Sequence, residues 1–126
     1  MTTLRIGVRT HEEAKARLLA IARGQAQREP NEPTVWVASL ASLAQVLSQD
    51  NLTLLRLIAE RKPSSLTELA DMTGRAVSNL SRTLATMERY GVVKMVEGEG
   101  RAKAPCLACD HVEIVMPALA NNMEAA

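Results

Sequence analysis

Apolar residues recur at helical spacing through the middle of the chain and at alternate positions near its two ends. Leu4, Ile6 and Val8 alternate with Arg5, Gly7 and Arg9, the period of a half-buried strand. Thr10 and Glu13 stand at capping-box spacing, and Ala14, Leu18, Ile21 and Ala22 then line one face of a helix predicted to end near Gly24. The polar run 25–33, with prolines at 30 and 33, reads as a loop, and Thr34, Val35, Trp36 and Val37 as a short strand. Ser39 caps a helix bearing Leu40, Leu43, Ala44 and Leu47 on one face. Residues 48–51 offer a break and another cap before a helix over 52–62, marked by Leu52, Leu55, Ile58 and Ala59.

The sharpest pattern lies in residues 65–93. Ser65 and Glu68 form a second capping-box pair, with Ser65 accepting from a first-turn amide and Glu68 reaching back. Leu66, Leu69, Ala70 and Thr73 follow helical spacing, and Gly74 supplies a backbone free to take positive φ. A second helix is predicted over 76–90. On a wheel at ~100° per residue, its Val77, Leu80, Leu84 and Met87 fall within about 80° of one another and form the expected buried stripe. Two short helices about a Gly turn make a helix-turn-helix. On the opposite face, within about 60°, lie Arg75, Ser78, Arg82 and Arg89, with Asn79 and Thr86 on one flank and Ala85 on the other. Such a face either reads nucleic acid or is an ordinary solvated helix surface.

After Gly91 an apolar run, Val92 to Val96, leads through a Gly-rich turn at 97–100 into a second extended segment, which predicts a hairpin. Arg101 and Lys103 are two apart and, on a strand, would point the same way toward one phosphate backbone; a surface hairpin with two exposed cations is the plainer alternative. Val112, Ile114 and Met116 alternate with Glu113 and Val115, predicting a last strand able to pair with residues 4–8. Residues 118–126 show no period and are expected to fray.

Residues 66–116 resemble the winged helix-turn-helix of MarR-type transcriptional regulators. ELADMTG matches the first helix, and NLSRTLATMERYGVV the second helix with the strand that follows. The resemblance implies a recognition helix in the major groove, with Arg75, Ser78, Asn79 and Arg82 reading the groove. It implies a wing on the flanking backbone, carried by Arg101 and Lys103. Thr83 and Thr86 complete the candidate DNA-binding set. With the preceding helix, the likeness covers about half the chain. The whole sequence is also similar to small prokaryotic DNA-binding proteins, some encoded as antitoxins beside a toxin.

Charge distribution sharpens this picture more than net charge, which is only +1. Residues 61–104 hold eight Lys/Arg against five Asp/Glu, whereas residues 105–126 hold three acidic residues and no Lys or Arg. With no Phe, one Trp and one Tyr, the chain lacks aromatic platforms for stacking single-stranded bases, so duplex DNA is the better fit. Cys106 and Cys109, followed by Asp110 and His111, invite a zinc reading, but no second ligand pair exists, and residues three apart on a strand face opposite sides. Free thiols are expected, with no metal and no cofactor. His11 and His111 have no nucleophile or orienting acid near them in sequence, and Gly98-x-Gly100 opens no helix, so no enzyme is expected. Trp36 is either a packing anchor or an exposed interface residue.

The expected fold is mainly α with a small β component, an α+β chain. Residues 1–48 form a β-α-β-α arm for dimerisation or partner binding, residues 49–117 the winged helix-turn-helix, and 118–126 a flexible tail. The arm has too few apolar residues for its own core and should pack on the winged helix, a second copy or another protein. The expected function is that of a homodimeric, sequence-specific duplex-DNA-binding repressor in the cytoplasm. The alternatives are an antitoxin whose arm neutralises a toxin and a pure protein-interaction module. No stretch approaches the ~18 apolar residues of a membrane helix, nor is there the apolar core of a signal peptide.

Overall fold

The structure, a computed structural model, describes residues 2–98 and 100–116. The expected tail at 118–126 lies outside the described residues, as does Glu99 of the Gly-rich turn. The chain is α+β. Strand β1 (Thr3–Val8) and helix α1 (His11–Ala22) are followed by β2 (Val35–Val37), α2 (Leu40–Val46), α3 (Gln49–Arg61), α4 (Leu66–Thr73) and α5 (Val77–Tyr90). Strands β3 (Val93–Glu97), β4 (Lys103–Leu107) and β5 (His111–Val115) complete the order.

Local chemistry places most helix starts. Thr10 and Glu13 form a complete capping box, and the side chains of Ser39, Ser48 and Ser65 each accept from the amide three residues on. Ser48 starts α3 at Gln49, three residues ahead of the predicted helix over 52–62, because a capped polar first turn extends the helix beyond its apolar stripe. The expected box at Ser65 is only half made. Glu68 reaches past Ser65 and accepts from the amide and hydroxyl of Ser64, which hold its carboxyl below the usual range.

Parallel strands β2, β1 and β5 form one sheet with β1 in the centre, and β3 and β4 pair antiparallel as a separate hairpin. The pairing of the last strand with residues 4–8 is as the alternation predicts, in the register Leu4 to Val112 and Ile6 to Ile114. One consequence is topological: β5, placed by sequence with residues 49–117, completes the sheet begun by the arm. The larger apolar cluster joins α3, α4 and α5 to the hairpin through Leu54, Leu55, Ile58, Leu69, Leu80, Leu84, Met87, Val92 and Val93. A smaller one holds Ile6, Val8, Val37 and Leu43. Leu4, Leu47 and Tyr90 pack against both, so the arm rests on the rest of its own chain.

Helix α1 departs from expectation. None of its residues is buried, and Leu18, expected on its inward face, is 62% exposed. Its firmest tie is polar: Arg17 forks onto both carboxylate oxygens of Glu32 at 2.6 and 3.3 Å and donates to the carbonyl of Gln27 at 2.7 Å. These bonds pin the 25–33 loop. The Arg17 guanidinium and then the Glu29 amide hold the Glu32 carboxyl down from 4.5 to about 2. A carboxyl whose folded value is depressed contributes stability above its unfolded value, and that contribution is lost as pH falls toward the folded value. The stability gap between wild type and Glu32→Gln should therefore narrow as pH is lowered from about 4.5 to about 2, which thermal melts across that range would measure; a gap independent of pH there would exclude the ion pair as its source.

Trp36 lies across Gly7, its register neighbour on β1, and takes the Arg9 guanidinium over its ring at 4.3 Å. It packs within its own chain. A Cβ at residue 7 would collide with the indole, so only glycine permits this stacking. Gly7→Ala should displace the ring and shift the emission of the single tryptophan toward the red, with a stability loss of about 1–3 kcal/mol; an unchanged spectrum would mean the strand absorbs the methyl elsewhere.

Candidate nucleic-acid interface

Helix α4 ends at Gly74, whose φ of 75° is the left-handed cap that reverses the chain into α5. Thr73 tightens the turn by donating to the Leu69 carbonyl and accepting from the Arg75 amide. Helix α5 then buries Leu80, Leu84 and Met87. Val77 does not share that stripe. It is 43% exposed because burial begins at Leu80, one turn further in.

The start of α5 differs chemically from the other helix starts. Ala76 provides no side-chain cap and the first turn has no acid, so its free amides and the positive end of the helix dipole lack a side-chain acceptor. Arg75 sits just ahead of the helix rather than on it. Its guanidinium folds back along the surface, donating to Asn79 Oδ1 at 2.8 Å, Thr83 Oγ1 at 3.2 Å and Asn51 Oδ1 at 3.4 Å. These acceptors are neutral, so the bonds orient Arg75 without cancelling its charge. Asn79 in turn has its oxygen held, which directs its amide donors away from Arg75.

Ser78 and Arg82 are exposed and form no side-chain hydrogen bonds with the described residues. Thr86 instead donates to the Arg82 carbonyl and accepts from Arg89, so its hydroxyl is engaged on its own helix. Among the described residues, the ion pairs are Arg5 with Glu113, Arg17 with Glu32 and Lys103 with Glu97; none uses the arginines of α5. That face combines unneutralised positive charge with short polar donors, the chemistry that suits phosphates and base edges.

The hairpin is placed beside α5 by the Glu88 carboxylate, which accepts from the Met95 amide at 3.3 Å. Gly98 meets the carbonyl of Ser64 so closely that a Cβ there would collide with it. Lys103 begins β4, but Arg101 lies in the turn before it, so the two do not share a strand face as their spacing suggests. Lys103 is also partly neutralised, 3.3 Å from Glu97, its cross-strand partner. Arg101 is exposed.

Asn51 is the contributor that sequence reasoning missed. Its amide donates to the Val46 carbonyl while its oxygen accepts from Arg75, and a pairing across 24 residues has no local signal. Cys106 and Cys109 are free thiols, with Cys109 buried and its thiol pushed up by that burial and then by Asp110. No cluster of three or more metal-ligating side chains occurs among the described residues. Nor is any helix there long and apolar enough to cross a membrane.

No curated protein and no solved structure matches the chain. The HVO_A0114 family model matches residues 46–114, which run from the end of α2 through α3, α4, α5 and the hairpin into β5. More than half of the chain, including the whole α4–α5 unit, thus falls within one family pattern, and the chain belongs to the HVO_A0114 family.

Proposed function

We propose that this protein is a sequence-specific duplex-DNA-binding regulator of transcription, a MarR-like winged helix-turn-helix acting in the cytoplasm as a homodimeric repressor. In this reading α5 is the recognition helix and enters the major groove, and the β3–β4 hairpin is the wing. One observation carries it: the exposed face of α5 presents Arg82, Ser78 and the oriented Arg75–Asn79 pair beside an uncapped helix start, with no carboxylate paired to its arginines among the described residues. Arg82 and Asn79 would read base edges, Ser78 and the first-turn amides of α5 would take phosphate, and Arg75 would position Asn79. Arg101 and Lys103 would touch the flanking backbone.

The test separates reading from holding. Arg82→Ala should cost about 1–3 kcal/mol of binding and blur base preference, whereas Lys103→Ala, already shared with Glu97, should weaken all duplexes by a smaller and uniform factor. Competition binding against randomised duplexes measures both. Equal, sequence-independent losses would reassign Arg82 to the phosphate backbone.

A second reading rests on α1, where Leu18 and Leu19 stand exposed on a helix with no buried residue. It makes the protein an antitoxin whose arm covers those leucines with a toxin, DNA binding then serving autoregulation.

A further inference from the structure

Strand β5 extends the apolar face of the sheet one strand beyond its cover. Partners in a parallel register share a face, so Val112 and Ile114 stand on the same side as Leu4 and Ile6. Ile6 is 0% exposed, yet Ile114 beside it is 46% exposed. Val112 reaches the core side, where it borders a groove of about 280 Å³ with Leu52, Leu55 and Val92. No described strand pairs with the outer edge of β5.

The backbone shows which groups are unpaired. The His111 amide donates to the Thr2 carbonyl, so His111, Glu113 and Val115 point their amides and carbonyls toward β1. Val112 and Ile114 therefore aim theirs outward. Edge strands are normally blunted by brevity, proline, lysine or a bulge. The opposite edge, β2, is only three residues long, while β5 runs for five with neither proline nor lysine. Its one acid, Glu113, is held by Arg5 at 2.8 Å.

We infer that the outer edge of β5 is a self-association surface, joining two copies of this chain into one continuous sheet about a two-fold axis through Ile114. This names the interface of the proposed homodimer and rests on that reading. A two-fold axis normal to the sheet keeps both apolar faces on one side, and the pleat sets it midway between two copies of the same residue, because directly opposed residues must point to the same face. Centred on Glu113 the pairing would set two carboxylates opposite each other. Centred on Ile114, it opposes Ile114 to Ile114, Val112 to Met116 and Glu113 to Val115, with no like charges facing and with both outward backbone groups of Ile114 exchanged between copies. The interface differs from the arm-centred dimer expected from sequence, because β1 already has both neighbours within its own chain.

Sedimentation of the full chain without DNA tests this. Wild type should be dimeric at tens of micromolar, and Ile114→Lys should weaken association about 100-fold or more by placing lysines opposite each other at the axis. Leu18→Lys, at the exposed leucine of α1, should leave it unchanged. Hydrogen exchange on wild type supplies a readout that does not depend on the variant folding: the Val112 and Ile114 amides should lose protection on dilution, while those of Glu113 and Val115, bonded to β1, should not. A monomeric wild type, a dimer unaffected by Ile114→Lys or abolished by Leu18→Lys, or concentration-independent exchange at Val112 and Ile114 would overturn the inference. Because no DNA is present, its failure leaves the duplex-binding reading to be judged by its own test.

Discussion

Affinity for a duplex selected from a random pool should fall about 10³-fold or more between 50 and 200 mM salt, if a dimer neutralises roughly six phosphates. Arg82, Arg89 and Arg101 from each of two copies supply cations on that scale, and none is paired with a described carboxylate. Cations already satisfied within the protein would release fewer counterions on binding, so the slope of log affinity against log salt counts the free ones. Lys103→Ala should reduce that slope by less than Arg101→Ala, since Lys103 carries Glu97 beside it while Arg101 stands exposed in the turn. Titrations at four or five salt concentrations decide the matter. Binding indifferent to salt would remove the phosphate backbone from the reading and turn α5 into an ordinary solvated helix face.

Leu80→Ala should destabilise the fold by about 2–5 kcal/mol, and Val77→Ala by about 0.5 kcal/mol or less. Periodicity puts both residues on one stripe of α5, but Leu80 is 0% exposed in the cluster shared with α3, α4 and β3, while Val77 is 43% exposed. Removing the buried side chain forfeits its transfer free energy and leaves a cavity that its neighbours only partly fill. Against a total stability of about 5–15 kcal/mol, that loss is enough to populate the unfolded chain at modest urea concentrations. Urea denaturation of both variants gives the comparison directly. Equal losses would mean that α5 packs along its whole length, including the first turn that carries the candidate contacts.

Short-range chemistry determined much of this protein from the sequence alone. The serine and threonine caps, the left-handed Gly74, the apolar periods of α3 and α5 and the alternation of β1 and β5 all act within a few residues, so they can be read without a fold. The α+β class and the cluster of arginines on α5 follow from the same local signals. Tertiary structure alone decided where each pattern is used. Val77 and Leu18 satisfy a helical wheel yet stay exposed, because a period marks a face but not whether anything buries it. Arg75 is oriented by Asn51, Arg101 falls in a turn, and Lys103 finds Glu97, since each depends on groups brought close by packing or by hairpin register. Gly7 is required only once Trp36 lies over it. The exposure of Ile114 beside the fully buried Ile6 has the same origin: the two strands carry the same apolar alternation, and only the order β2-β1-β5 makes one central and the other an edge.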